Sequence, residues 1–345
     1  MPQAQKLPFK PQQVTKRLVA DLPDRSRDVL ISRYGLGTKV RGDTLDAIGK
    51  RYGITRERVR QIENHAIKAV QDSSAMAKES KSFNTLETLI RDMGGILPER
   101  MLLDELAKDN ETKNHLYFLL VVGRPFIAQK ETPDFKARWH VDHELAKSVE
   151  DALKQVHASV KPSDVLTEDQ VVDHVMACLT KVNTRYRSKD TVRRWLELSN
   201  CIMKNPLGEW GRASAPGIRV KNIRDHAYLA LKRHGSPMHF REVSKAIEKL
   251  FGKKAHEATT HNELIKDGRF VLVGRGIYAL KEWGYRSGPV VEIIKHILKE
   301  SGPLSKDDIM KRVSKERYVK PNTIVVNLQN SAFVKKDGRY TLKAA

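Results

Sequence analysis

The stretch TLDAIGKRYGITRERVRQIE, Thr44 to Glu63, constrains the fold more than any other part of this chain. Leu45, Ile48 and Tyr52 keep helical spacing, and Val59, Ile62 and Ala66 resume it after a break. Gly53 stands in that break, where a residue without a Cβ permits a sharp turn. Gly49, four residues earlier, is small enough for a second helix to cross closely over the first. Thr55 is placed to cap the second helix, with Glu57 and Arg58 in its first turn. Two short helices, a glycine turn and a small residue at the crossing predict a helix-turn-helix, whose second helix enters the major groove of DNA.

The outward positions of the second helix are Arg56, Glu57, Arg58, Arg60, Gln61 and Asn64. Arginine bonds bidentately to guanine, glutamine or asparagine to adenine, and glutamate accepts from the cytosine amino group. A solvated, salt-bridged face is the ordinary meaning of charge on a helix. Here that alternative must also explain the glycine turn, the cap and the arginine surplus in one place, and DNA reading explains all of them.

LPDRSRDVLISRYGL followed by TLDAIGKRYGITRERVRQIENHAIKAV resembles region 4 of sigma-70 family factors, which recognises the −35 promoter element. The similarity runs from about Leu22 to Val70, a fifth of the chain, and RERVRQIE is its most specific run. The resemblance implies that Arg56, Glu57, Arg60 and Gln61 face bases. It assigns Arg25, Arg33, Thr44 and Arg58 to phosphates, contacts that set register without reading sequence. It also implies docking on the β-subunit flap of core RNA polymerase. Only 21 residues precede Leu22, so the expectation is a chain without the promoter-melting region.

The formal charge of +21 favours a polyanionic partner, double-stranded DNA above all. Its distribution is uneven. Residues 1–74 carry 15 Lys+Arg against 8 Asp+Glu, residues 217–285 carry 14 against 7, and residues 286–345 carry 13 against 6. Residues 82–143 carry 8 against 10, and residues 144–216 carry 11 against 10. Both ends are basic and the middle is neutral. No apolar run approaches the roughly 20 residues of a membrane span, and the start lacks a signal-peptide core. Cys178 and Cys201 form no CxxC pair, which fits a reducing cytosol. The expected setting is cytoplasmic and nucleoid-associated, in a bacterium or encoded by a phage. Oligomeric state is left open.

Residues 1–21 hold three prolines and read as a mobile arm ahead of the helix-turn-helix domain at 22–74. SSAMAKESKS, Ser73–Ser82, reads as a linker or a frayed helix end. Beyond it one plan recurs at roughly 60–70 residues per copy, over 82–143, 144–213, 219–285 and 288–343. Each copy reads as helices closed by a hairpin, so the expected fold is mainly α: a helix-turn-helix followed by an array of winged-helix units. The third copy is clearest, with helices at Ile223–Arg233, Phe240–Leu250 and Ala255–Lys266 before strands around Gly274-Arg275-Gly276. It resembles the HARE type of helix-turn-helix, a relative of the RNA polymerase delta-subunit N-terminal domain. Trp139, Trp210 and Trp283 fall at or just after second strands, where each is expected to pack hairpin on helices.

No GxxxxGK[ST], GxSxG or HExxH motif occurs, and no enzyme is expected. His140 and His143 flank Asp142, which reads as the polar end of a strand rather than a metal site. No cofactor or metal is expected. Arg275 sits at a wing tip, where an arginine can reach a minor groove. Two other readings are a polymerase-binding adaptor that reads no bases and the DNA-targeting subunit of a nuclease or modification system. The base-reading set argues against the adaptor, and no catalytic cluster supports the nuclease.

Overall fold

The computed structural model describes residues 7–37, 41–180, 182–286 and 288–343. The fold is mainly α, with small antiparallel sheets and a helix-turn-helix at its N-terminus. It divides into two compact units, Met1–Lys204 with Gly208–Ala215, and Asn205–Leu207 with Pro216–Ala345.

The first unit begins with α1 (Pro11–Val19), α2 (Asp24–Tyr34), α3 (Leu45–Tyr52) and α4 (Arg56–Gln71). Helix α1 corrects the mobile arm expected over residues 1–21, of which 1–6 lie outside the described residues. Proline is tolerated in the first turn of a helix, and Pro11 opens this one. Val14, Leu18 and Val19 are then buried. Their partner is α8 (Asn110–Val122), more than ninety residues away, so the short apolar spacing alone did not announce a packed helix. Gln12 donates to the Thr112 hydroxyl at 2.8 Å, and Arg17 pairs with buried Glu79.

The stretch Ser73–Ser82, expected as a linker or a frayed helix end, is helical: α5 (Ser74–Lys78) is followed at once by α6 (Ser80–Asp92). The Ser73 hydroxyl caps α5 by accepting from the Met76 N–H at 3.2 Å, and Ala75 is buried. Small polar residues here are caps, not slack. Next come β1 (Ile96–Pro98), α7 (Glu99–Leu106), α8 (Asn110–Val122), β2 (Ile127–Gln129) and β3 (Arg138–His140), in a sheet ordered β1-β3-β2. Leu18, Leu30, Ala66 and Val70 share one core with Leu116, Phe118 and Leu119 of α8. A single core therefore runs across the boundary expected between residues 74 and 82.

The unit closes with α9 (His143–Ser159), α10 (Glu168–Cys178), α11 (Lys189–Leu196), β4 (Ile202–Lys204) and β5 (Trp210–Arg212). Thr167 and Gln170 cap α10 reciprocally, and Ser188 caps α11. Trp195 is fully buried and donates to the Gly94 carbonyl at 3.1 Å. Trp139 and Trp210 are buried in their strands, and Trp139 donates to Glu99 at 2.9 Å.

In the second unit, α12 (Ile223–His234), β6 (Met238–His239), α13 (Phe240–Phe251), α14 (Glu257–Lys266), β7 (Phe270–Gly274) and β8 (Ile277–Leu280) form a helix–hairpin module with sheet order β6-β8-β7. Trp283 is half-buried against its core. The last module repeats the plan with α15 (Val290–Ser301), β9 (Leu304–Ser305), α16 (Lys306–Glu316), α17 (Pro321–Asn327), β10 (Phe333–Lys336) and β11 (Arg339–Leu342), ordered β10-β11-β9. Each has its own core, around Leu231, Val243 and Ile247 in one and Ile294, Ile309 and Ile324 in the other. Among the described residues no helix is long and apolar enough to cross a membrane.

Candidate nucleic-acid interface

Three helices, α2, α3 and α4, close on a small core of Val29, Ile48 and Val59, with Leu45, Tyr52, Ile54 and Ile62 packed around it. The Thr44 hydroxyl accepts from the Ala47 N–H at 3.2 Å, and the Thr55 hydroxyl accepts from the Arg58 N–H at 3.2 Å. Both helices thus start where threonine satisfies an otherwise unpaired donor. Helix α3 ends at Gly53, whose φ of 63° is left-handed, and the Ile54 N–H returns to the Gly49 carbonyl at 3.0 Å. A Cβ on Gly49 would lie 2.6 Å from the Ile54 carbonyl oxygen. The small residue is required by the turn backbone itself, one step before the helix crossing that its spacing suggested.

Helix α4 presents Arg56, Glu57, Arg58, Arg60, Gln61, Asn64 and Lys68 to solvent, while Val59, Glu63, Ala66 and Val70 are buried. The four expected base-readers therefore share one exposed stretch at the helix start. They are not idle in the free protein. Arg60 donates from Nε and Nη2 to the two oxygens of Glu57, at 2.9 and 2.6 Å. Arg58 donates to the Gln61 Oε1 at 3.0 Å. The guanidinium of Arg60 holds the Glu57 carboxyl below the usual range, so Glu57 stays an acceptor.

Of the four expected phosphate contacts, Arg25 and Arg58 are exposed, and Arg25 stacks 5.3 Å from the Tyr52 ring centre. Thr44 is exposed as a cap. Arg33 is half-buried and committed inward: its Nε lies 3.4 Å from the buried Glu63 carboxylate, and Nη1 donates to the Asp43 carbonyl at 3.3 Å. Tyr34 donates to the same Glu63 at 2.9 Å, and burial, helped by that carboxylate, pushes its phenol pKa upward. Glu63 is therefore a pin between α2 and α4. A carboxylate falling on the buried stripe Val59, Glu63, Ala66, Val70 was the signal for it. Arg51 is a second tie, donating to Ser32 at 2.7 Å and to Asp28 at 3.3 Å, while Tyr52 also bonds Asp28. Arg275 lies exposed between β7 and β8, in the other unit.

His140 is buried, and neither ring nitrogen has a hydrogen-bond partner among the described residues. Among the described residues no group of three His, Cys, Asp or Glu side chains is arranged to hold a metal.

Residues 18–72 match the family model for Sigma-70, region 4. Over 56 residues the chain is 46% identical to the RNA polymerase sigma factor RpoS of Coxiella burnetii (strain RSA 493 / Nine Mile phase I), which is 16% of either chain. Over 50 residues it is 46% identical to the RNA polymerase principal sigma factor HrdD of Streptomyces griseus, 14% of this chain and 15% of that one. It thus spans about a sixth of the length of the sigma factors it matches. A longer alignment, 164 residues at 23% identity, relates 47% of the chain to 67% of a Putative Do-like 15 protein of Arabidopsis thaliana. The N-terminal fifth of the chain carries sigma-70 region 4, a non-catalytic DNA-binding helix-turn-helix.

Proposed function

We propose that this protein is a sequence-specific DNA-binding transcription protein that reads a −35-type promoter element and associates with RNA polymerase. One observation carries the reading: Arg56, Glu57, Arg60 and Gln61 stand exposed at the start of α4, behind a threonine cap and a glycine turn. Such a set offers bidentate donors for guanine, an amide for adenine and an acceptor for cytosine. Arg25, Arg58 and Thr44 fix the register on phosphates, and Arg33 braces the domain through Glu63 as well.

Association with polymerase is supported by the similarity to two RNA polymerase sigma factors. Leu30, Ala66 and Val70, on the apolar back of the domain, are already covered by α8. Docking on the β-subunit flap therefore uses another surface of the domain. The helix–hairpin modules are winged helices, the third of HARE type, and the basic second unit adds sequence-independent affinity for duplex. The protein works in the cytoplasm of a bacterium or of a phage-infected cell.

Selection of binding sites from random duplexes, followed by the same selection with Arg60→Ala, tests the reading. A recovered motif that loses one base pair of preference in the variant supports it. Recovery of no motif by the parent chain would sink it.

A further inference from the structure

The second unit contains a joint that no sequence motif announces. Tyr318, between α16 and α17, forms a parallel bridge with Gly274 at the end of β7, and its N–H donates to the Val273 carbonyl at 2.8 Å. Arg317 beside it is buried, and its guanidinium donates to the carbonyls of Leu272 and Gly288. Gly274 has no room for a side chain, since a Cβ would lie 2.6 Å from the Tyr318 carbonyl oxygen. The edge of one hairpin is thus extended by the other module's backbone, which fixes the two modules together.

The bridge also decides what lies beside what. Arg275 follows Gly274 in the two-residue turn between β7 and β8, and Lys320 lies two residues beyond Tyr318 at the start of α17, so the bridge joins the two segments that carry them. Helix α17 exposes Asn322, Thr323 and Val326 and leads straight into the β10–β11 hairpin, whose tip carries Lys335, Lys336 and Arg339. Charges in this module are segregated. From Lys320 to the last residue the sole acid is Asp337. Among the described residues, Glu292, Glu300 and Glu316 pair with Arg286, Lys295 and His296, and none of the module's acids forms an ion pair with Lys320, Lys335, Lys336 or Arg339. Exposed cations held in no ion pair, with a single acid among them, suit a regular polyanion better than a protein of mixed charge.

We infer that the two C-terminal modules act as one duplex-binding body, in which the Gly274–Tyr318 joint holds the turn of Arg275 to the segment of Lys320, and these cations form a phosphate-binding face with Lys336 and Arg339 of the β10–β11 hairpin. This rests on the DNA-binding reading above and adds the surface and the joint. Single modules would bind independently and weakly. A rigid pair converts the second contact into an intramolecular one, raising affinity without new contacts.

The test measures binding of the full chain to a random DNA duplex across a salt series. Substituting Arg275, Lys320, Lys336 and Arg339 together by alanine should flatten the log–log salt slope by about 3 to 4, since each lost phosphate contact removes about 0.9. Gly274→Ala keeps every cation but forces the joint apart, and affinity should fall about tenfold or more. Arg317→Met, which removes the two carbonyl bonds at similar volume, should act alike, with circular dichroism showing the helices retained. An unchanged slope in the fourfold variant would overturn the surface. Unchanged affinity in both joint variants would overturn the single body. Competition by poly-glutamate as strong as by duplex would assign the face to acidic protein instead. Site preference measured on the same preparations separates this inference from the broader one: preference retained while the slope stays put leaves region 4 reading intact and removes only the C-terminal surface.

Discussion

Arg60 is clamped by Glu57: two hydrogen bonds, 2.9 and 2.6 Å, join the guanidinium to both carboxylate oxygens one helical turn away. Both side chains are more than half exposed, so solvent screens the pair and its stabilising effect is small. Its consequence is geometric. On the base-reading hypothesis the guanidinium meets DNA already oriented, and the acid beside it disfavours a phosphate in its place. On the base-reading hypothesis, Arg60→Ala or Gln61→Ala should each cost about 1–3 kcal/mol on the selected site and relax preference at one base pair. Lys68→Ala, exposed farther along α4, should weaken all sequences slightly and equally. Equal losses on random duplex for Arg60→Ala would refute base reading.

Glu63 holds Arg33 and Tyr34 from inside the domain. Glu63→Ala leaves the half-buried guanidinium without its counter-charge and the phenol without its acceptor, and should destabilise the N-terminal domain by about 1–3 kcal/mol. Tyr34→Phe deletes one donor and leaves Glu63 with Arg33, so it should cost about 0.5–1.5 kcal/mol. Urea midpoints of the two variants check the order. A larger effect from the tyrosine would mean that Glu63 is not the pin.

The two glycines of the turn differ in kind. Gly53 has open space around its missing Cβ and needs alanine only to adopt a left-handed φ, whereas Gly49 has the Ile54 carbonyl in the way. Gly53→Ala should cost about 1 kcal/mol, the usual penalty for a side chain in that region. Gly49→Ala should cost as much or more, about 1–3 kcal/mol by overpacking, and should also displace the start of α4. Site affinity should therefore drop further for Gly49→Ala than for Gly53→Ala. The reverse order, in stability and binding together, would show that the close approach is not what Gly49 serves.

His140 predicts an acid limb. Burial pushes its pKa below the ordinary value, with His143 adding to the effect, and burial does the same to His115. Glu150 and Asp142 pull the other way for His140, and Arg138 adds to the lowering. With the folded pKa depressed, the unfolded chain takes up the proton first. Stability is whole above about pH 6.5 and falls by up to about 1.4 kcal/mol per pH unit for each histidine as the pH drops below it. His140→Leu should flatten the decline between pH 6.5 and 5 in urea titrations. An unchanged slope would mean that His140 takes up its proton while still folded.

The helix-turn-helix was legible residue by residue because its determinants are local. Thr44, Gly53 and Thr55 act on backbone within three or four positions, and the stripe Val59, Ile62, Ala66 follows from the helical period alone. The alternation of helices and hairpins in the later modules could be read for the same reason. Contacts over long sequence separations could not. Val14 and Leu18 make a buried helix only because α8 brings an apolar face to them, and Ser73–Ser82 is ordered because Glu79 finds Arg17. Arg33 looks like any surface arginine until Glu63 arrives from another helix. The joint at Tyr318 is a backbone pairing, which carries almost no side-chain signature. Periodicity, caps and charge therefore determined the modules and the exposed face of α4, while tertiary structure decided which apolar stripes were covered, which arginines were paired and which modules are joined, because burial and pairing depend on partners distant in the chain.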